Sequence, residues 1–209
     1  MCIAILNTNK KLTQDQLLNS YLRNSDGAGL MWSKNGILKT YVNTMENGIE
    51  DFWDFVDKYD EAWLDTMRHP APNASVGVHF RLATHGAINK DNCHPFVYEQ
   101  SGMPIAIMHN GILSGYDSDY DTSDTQRFVE RFLLKNKLNP WAGNHHRKAI
   151  EAEVKRAGYN KIIFMNDKGQ TFIAGEHLGN YEQGSWFSNY GYATRYGCAY
   201  SKPYSKYAY

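Results

Sequence analysis

The chain has 209 residues, and its 22 lysine and arginine residues balance 22 aspartate and glutamate residues. This length suits one domain that folds without disulfides or metal, and the zero net charge excludes a general attraction to nucleic acid or to an anionic membrane. A small neutral substrate or a protein partner is therefore expected. Three widely spaced cysteines argue against a disulfide framework. No signal peptide and no apolar run of roughly 20 residues is recognised, so a cytoplasmic protein is predicted.

The first half of the chain predicts a strand, a helix, a hairpin and a second helix. Residues 1–6 have the pattern of a strand, and residues 13–16 form a capping box that starts a helix. Strand-like runs at 29–33 and 37–42 flank Lys34-Asn-Gly36, a typical hairpin turn. Apolar and aromatic residues then recur at three- and four-residue spacing, which indicates a helix facing the core. These residues are Phe52, Phe55, Val56, Tyr59 and Trp63.

The second half predicts further strands and helices. Strands are expected at 75–82 and 104–108, and the Ser123-Asp-Thr-Gln126 cap starts a helix. Another helix is expected at about 146–157, followed by a hairpin over 159–174. Periodicity alone does not choose an arrangement for these elements.

Cys2 directly follows the initiator methionine, and removal of Met1 would give it a free α-amine beside its thiol. A thiol is a strong nucleophile, and an α-amine titrates at about 7.7–8.0, so the amine can take the thiol proton. The alternative interpretation is a buried cysteine that opens a strand. Position 2 alone does not decide between the two.

A series of short motifs follows Cys2 in a fixed order. The motifs are RNSDGAG at 23–29, VHFRLATHG at 78–86, NCHPF at 92–96, MHNG at 108–111, SDTQ at 123–126 and GSWFSN at 184–189. The series resembles the class II glutamine amidotransferases, whose glutaminase domains are N-terminal-nucleophile (Ntn) hydrolases. The resemblance implies an α+β fold, a four-layer α-β-β-α sandwich of antiparallel sheets. It also implies a glutaminase domain over residues 1–189. The tyrosine-rich composition of residues 190–209 predicts a tail that is mobile or that seats a partner.

The resemblance assigns the chemistry of glutamine hydrolysis to specific residues. Cys2 is the nucleophile, and its amine is the base. The side-chain amide of Asn110 and the backbone N–H of Gly111 form the oxyanion hole, although Asn-Gly is also a common turn sequence. Arg81 would bind the α-carboxylate of glutamine through its planar fork, although an arginine at a strand end is also common. Asp124 would face the α-ammonium, although an acid in a first helical turn also stabilises the helix.

Four further residues take supporting places by resemblance. Thr84 and His85 would line the substrate pocket, and Arg23 and Asp26 would brace the Cys2 terminus. The chain departs from the family pattern at three positions, where Leu82 replaces a frequent tryptophan and Cys93 and Phe96 replace a small residue and a second histidine. These changes alter the pocket shape but leave the nucleophile, the oxyanion donors and the substrate clamp in place.

No metal or cofactor is predicted. Asp117, Asp119 and Asp121 match the first three acids of a calcium loop, but Thr122 and Phe128 replace its glycine and its last glutamate. The eight histidines form no zinc motif, and no glycine-rich phosphate loop is present.

Three functional hypotheses follow. The leading hypothesis is a stand-alone glutaminase subunit for free glutamine that passes ammonia to a separate synthase partner, since residues 190–209 are too few for a synthase domain. The second is an Ntn amidase for another amide or a γ-glutamyl compound. The third is a non-catalytic assembly subunit that keeps the fold and uses its tail as an interface. The sequence does not specify the acceptor or the oligomeric state.

Overall fold

A computed structural model describes residues 2–68, 75–83, 89–117, 119 and 121–193. Ten strands in this part of the chain form two antiparallel sheets. The first sheet has the order β3-β2-β4-β1-β10-β9, and the second has the order β5-β6-β7-β8. The strands are β1 (Ile3–Asn7), β2 (Ala28–Lys34), β3 (Ile37–Asn43), β4 (Val76–Phe80), β5 (Phe96–Gln100), β6 (Met103–Asn110), β7 (Lys161–Asn166), β8 (Thr171–Ala174), β9 (Asn180–Glu182) and β10 (Ser185–Phe187).

Helices cover the outer face of each sheet. The first sheet carries α1 (Gln14–Arg23) and α2 (Ile49–Arg68). The second carries α3 (Asp124–Phe128), which continues as a π-helical segment over Val129–Leu134, and α4 (Asn144–Arg156). The layers therefore follow the order α-β-β-α, which confirms the fold predicted by resemblance.

Three apolar clusters fill the three spaces between these four layers. In β1, Ile3 and Ile5 pack under α1 and α2, whereas Ala4 and Leu6 face the second sheet. Both faces of this central strand are thus buried, which explains its uninterrupted apolar sequence, since successive side chains point to opposite faces. Trp186 belongs to the cluster between the sheets.

The two predicted capping boxes are confirmed. The Thr13 hydroxyl accepts a hydrogen bond from the Gln16 N–H at 3.1 Å, and the Ser123 hydroxyl accepts one from the Gln126 N–H at 3.2 Å. Each glutamine side chain reaches back to the backbone of its cap residue, which satisfies a second free donor. The second box places Asp124 in the first turn of α3.

Two strands were not predicted. β5 pairs with β6 across a turn at Ser101 and Gly102, and β9 is a three-residue partner of β10. Both are edge strands with exposed residues, so they lack the continuous apolar run that marks a central strand.

The expected tail begins with a folded turn. Tyr190–Ala193 form a 3₁₀ helix, and the Tyr192 ring stacks on Phe187 with a centroid separation of 3.8 Å. Residues 194–209, which contain most of the predicted tail, lie outside the described residues. Within the part of the chain that is described, no helix has the length and apolar character needed to cross a bilayer.

Gly29 sets the approach of β2 to the segment before β5. A Cβ at Gly29 would overlap the His94 carbonyl, which is backbone and cannot rotate away. We expect Gly29→Ala to lower the free energy of unfolding by about 3 kcal/mol, the upper end for overpacking. The matched control is Gly77→Ala in β4, whose Cβ would meet flexible side chains instead of backbone, those of Met31 at 2.6 and 2.7 Å and of Met108 at 3.3 Å. Urea unfolding compares the two variants, and equal costs would contradict this account.

Candidate active site

A pocket of about 410 Å³ lies where β1 begins and where β4 and β6 end. Four residues predicted from the sequence line it together: Cys2, Arg81, Gly111 and Asp124. They come from four separate motifs and meet because the antiparallel strands end at a common edge. The sequence predicted no role in a pocket for the other lining residues, which are Ala83, Asn92, His94, His109, residues 112–117, Ser123 and Thr125.

The Cys2 thiol lies against the backbone of Leu82. The Leu82 N–H donates to Sγ at 3.4 Å, and the thiol donates to the Leu82 carbonyl at 3.5 Å. Ile3 pairs with Phe80, so the strand register places Cys2 beside this segment. Burial raises the pKa of the Cys2 thiol, while the Leu82 hydrogen bond and the Arg81 guanidinium act in the opposite direction. Because the pKa is raised on balance, the sulfur is a thiol near neutral pH, and a base is needed to form the thiolate.

Two side-chain amides hold the carbonyl of Cys2. Asn110 Nδ2 donates to it at 2.7 Å, and Asn189 Nδ2 donates to it at 2.8 Å. Asn110 Nδ2 also lies 2.6 Å from the Ser188 hydroxyl. Ser188 and Asn189 belong to the motif at 184–189, but their role was not predicted because it becomes visible only when β10 lies beside β1.

Asn110 is fully buried and is not among the residues that line the pocket. Its NH₂ group is occupied by Cys2 and Ser188, and its Oδ1 has no hydrogen-bond partner among the described residues. Here the residue fixes the backbone of Cys2. Its place in the oxyanion hole stays a prediction.

Gly111 must be glycine at this turn. Its φ is +148°, a conformation that residues with a side chain rarely adopt. A Cβ would overlap the Asn160 carboxamide and lie 2.9 Å from the Tyr159 carbonyl. The turn interpretation and the pocket position therefore both apply to this residue.

Arg81 is 5% exposed and lines the pocket. Its backbone N–H donates to the Gly27 carbonyl at 2.7 Å, and its carbonyl accepts from the Asp26 N–H at 3.0 Å. Asp26 Oδ2 in turn accepts from the Ala83 N–H at 2.8 Å. Asp26 thus holds the segment that contacts the thiol, so its bracing of Cys2 is indirect.

The Asp124 carboxylate is held on both oxygens. The Leu113 N–H donates to Oδ2 at 2.8 Å, and the Thr125 hydroxyl lies 3.2 Å from Oδ1. The side chain is 22% exposed. A carboxylate fixed at the pocket wall in this way can accept a further hydrogen bond from a cationic ligand.

Arg23 lies away from the pocket, and two further predicted residues fall outside the described part of the chain. Arg23 is the last residue of α1, is exposed, and is not among the residues that line the pocket. Its side chain lies near Gly191 of the C-terminal 3₁₀ turn. Thr84 and His85 fall outside the described residues, so their predicted place in the pocket stays a prediction.

Three buried histidines lie together at the pocket, where His94 and His109 line its wall and His79 stacks against His94. The ring centroids of His79 and His94 are 4.4 Å apart, and those of His94 and His109 are 6.2 Å apart. Burial lowers the pKa of all three, to about 3 for His79. The rings are therefore neutral near pH 7. Each of these histidines lies within a sequence motif, but the sequence predicted no role for them.

No group of at least three histidine, cysteine, aspartate or glutamate side chains with an arrangement suited to a metal ion occurs in the described part of the chain. Asp119, one acid of the incomplete calcium loop, instead pairs with Arg127 at 2.5 Å.

Comparisons with known proteins identify the family and the fold of this chain. Residues 20–129 match the sequence profile of the class-II glutamine amidotransferases. The glutamine–fructose-6-phosphate aminotransferase (isomerizing) of Neisseria meningitidis serogroup B is 38% identical over 120 residues, which are 52% of this chain and 19% of that protein.

Two solved structures share the fold over 90% of this chain and 41% of their own length. They are the allosteric regulatory enzyme of purine biosynthesis, with a TM-score of 0.54 and 15% identity, and the glutamine phosphoribosylpyrophosphate amidotransferase from B. subtilis, with 0.52 and 13%. The fold is that of an Ntn-type glutaminase domain. The chain belongs to the class II glutamine amidotransferases.

The buried histidines predict acid sensitivity. Their folded-state pKa values lie below the ordinary 6.5, so below pH 6.5 the unfolded chain binds more protons than the folded chain. The free energy of unfolding therefore decreases as the pH is lowered. We expect the free energy of unfolding to fall by up to about 4 kcal/mol per pH unit between pH 6 and 5, since each proton contributes about 1.4. Urea unfolding at several pH values measures this slope. His79→Gln should reduce the slope by about 1.4 kcal/mol per pH unit, and an unchanged slope would contradict the assignment.

Proposed function

We propose that this chain hydrolyses the side-chain amide of free glutamine to glutamate and ammonia through a Cys2 thioester. The observation that carries the proposal is the meeting of Cys2, Arg81, Gly111 and Asp124 in one pocket. These residues supply a nucleophile, a carboxylate-binding fork, a backbone donor and a counter-charge for an ammonium group. Free glutamine presents the matching groups in one molecule.

The proposed reaction starts with removal of Met1, which gives Cys2 a free α-amine. Because burial raises the pKa of the thiol, the attack needs a base, and the amine is attached to the same residue. The amine takes the thiol proton, the sulfur attacks the amide carbon, and the proton then passes to the departing nitrogen. Ammonia leaves and a γ-glutamyl thioester remains. Water cleaves the thioester, which releases glutamate and restores the thiol.

The oxyanion formed in each step would be met by the Gly111 N–H and the Asn110 side chain. Gly111 already lines the pocket. The NH₂ group of Asn110 contacts Cys2 and Ser188, so its contribution to the oxyanion hole requires a rotation of the side chain. Donors fixed at such an oxygen typically contribute about 10²–10³ in rate.

Arg81 and Asp124 would select free glutamine over a glutamine residue inside a peptide. The arginine pairs with the α-carboxylate, and the aspartate pairs with the α-ammonium. A peptide lacks both charges at that residue, so it would forfeit both contacts. Thr84 and His85 are proposed to complete the pocket.

A separate synthase is proposed to use the ammonia, and the proposed location of the protein is the cytoplasm. The relative from Neisseria meningitidis is named as an aminotransferase, and this chain matches 19% of its length. The match lies within a larger protein there, which supports the pairing of such a domain with an acceptor-binding partner.

Covalent labelling tests the nucleophile. We expect the natively purified, untagged chain to lack Met1 and to gain one adduct at Cys2 from a glutamine-like diazoketone, with glutamine slowing the reaction. Intact mass and peptide mapping measure both changes. Cys2→Ala should abolish the adduct, whereas Cys93→Ala, which removes a second, buried thiol, should retain it. Retention of Met1 would rule out the α-amine as base and favour an assembly subunit.

Substitutions at the clamp test the substrate. We expect Asp124→Asn and Arg81→Lys each to raise the KM for glutamine by about 10- to 100-fold, because each weakens a charge-assisted contact worth about 1.5–3 kcal/mol. Ammonia release measured against glutamine concentration gives KM and kcat. An active enzyme whose KM is unchanged in both variants would favour an amidase for another amide.

A further inference from the structure

We propose that Thr125 is the positioning residue for the substrate-ammonium site, and that His109 holds it in place from behind. The inference rests on the proposed function, because it assigns a role in binding the α-ammonium of glutamine. In this scheme Asp124 touches the substrate, and Thr125 acts through Asp124.

The Thr125 hydroxyl lies at the centre of three polar contacts. It is 3.2 Å from Asp124 Oδ1, 2.8 Å from His109 Nδ1 and 3.4 Å from His94 Nε2. Thr125 is completely buried, and His109 is 3% exposed. These groups therefore form a fixed arrangement behind one oxygen of the carboxylate.

The proton positions follow from acceptor strength. A carboxylate is a stronger acceptor than a neutral imidazole, so the hydroxyl donates to Asp124 Oδ1. A hydroxyl has one proton and two acceptor sites, so the same oxygen accepts from the His109 Nδ1–H and from the His94 Nε2–H. Burial lowers the pKa of His109 and keeps its ring neutral, so its Nε2 is then an acceptor.

Asn160 completes the support of His109. Its carboxamide lies 2.9 Å from His109 Nε2, with Oδ1 facing the ring and Nδ2 without a partner among the described residues. Turning the planar amide by half a turn lets Nδ2 donate to the ring, because the two ends have the same shape. The chain of contacts then runs from Asn160 through His109 and Thr125 to Asp124.

This chain determines how Asp124 meets a ligand. The Leu113 N–H holds Oδ2, and Thr125 holds Oδ1, so the carboxylate plane is fixed from two sides. A fixed acceptor loses less conformational freedom when a cation binds. Loss of the hydroxyl would release one oxygen and would also leave the His109 Nδ1–H without its acceptor.

The test compares Thr125→Val, which keeps the branched shape, with Thr125→Ser, which keeps the hydroxyl. For glutamine hydrolysis we expect Thr125→Val to raise KM about tenfold with kcat within about twofold, since one hydrogen bond to a charged group is lost. Thr125→Ser should restore the KM to within about threefold. The reaction of Cys2 with iodoacetamide, which has no α-ammonium, should proceed at the same rate in all three proteins.

A second measurement isolates the ammonium group. L-Glutamate and glutarate, which differ by that group, compete with the diazoketone for Cys2. Thr125→Val should weaken protection by L-glutamate about tenfold and leave protection by glutarate unchanged.

The outcomes separate the two proposals. Equal weakening of both competitors, or no change in either, overturns the role of Thr125 while the glutaminase assignment stands. A wild-type chain that neither hydrolyses glutamine nor is protected by L-glutamate overturns both.

Discussion

The antiparallel register between β1 and β4 is the constraint on which the rest of the site depends. Ile3 lies opposite Phe80, and this places Cys2 beside the segment that carries Arg81 and Leu82. A shift of one residue would turn every side chain of β1 to the opposite face. Because both faces of β1 contribute to apolar clusters, such a shift would move the side chains of each face into the other cluster, where their sizes do not match the space. The packing of the sandwich thus fixes the position of the sulfur.

Polar groups concentrate at the edge where the strands end. The three apolar clusters occupy the spaces between layers, while buried amides, imidazoles and a guanidinium gather around the pocket. Each such group needs a hydrogen-bond partner away from water. Asn189 and Asp26 supply two of these contacts, to the Cys2 carbonyl and to the Ala83 N–H. The hydrogen bonds among these groups also orient the proposed reacting atoms.

The sequence predicted the parts of the fold that depend on local chemistry. Both capping boxes, the β2–β3 hairpin and the helix α2 follow from short patterns, and they form as expected. The short edge strands β5 and β9 were missed because half-exposed strands carry a weak pattern. The four-layer arrangement came from the resemblance, since periodicity describes single elements and does not say which sheets pack together.

The same limit applies to the site. Cys2, Arg81, Gly111 and Asp124 could be named because each stands in a recognisable motif, and the structure brings them to one pocket. The contacts of Ser188 and Asn189 could not be predicted, because they depend on β10 lying beside β1. The contact of Asn110 with the Cys2 carbonyl depends likewise on how the two sheets meet.

Hydrogen bonds connect the C-terminal 3₁₀ turn to Cys2. Asn189, which holds the Cys2 carbonyl, accepts a hydrogen bond on Oδ1 from the Gly191 N–H at 2.8 Å. Asn19 of α1 donates to the Tyr192 carbonyl at 3.1 Å, which clamps the turn against the helix. A displacement of this turn would therefore reach the Cys2 carbonyl through the Asn189 side chain, and α1 through the Asn19 side chain. The C-terminal 3₁₀ turn and the carbonyl of Cys2 are thus held together, although 187 positions separate Cys2 from Asn189 along the chain.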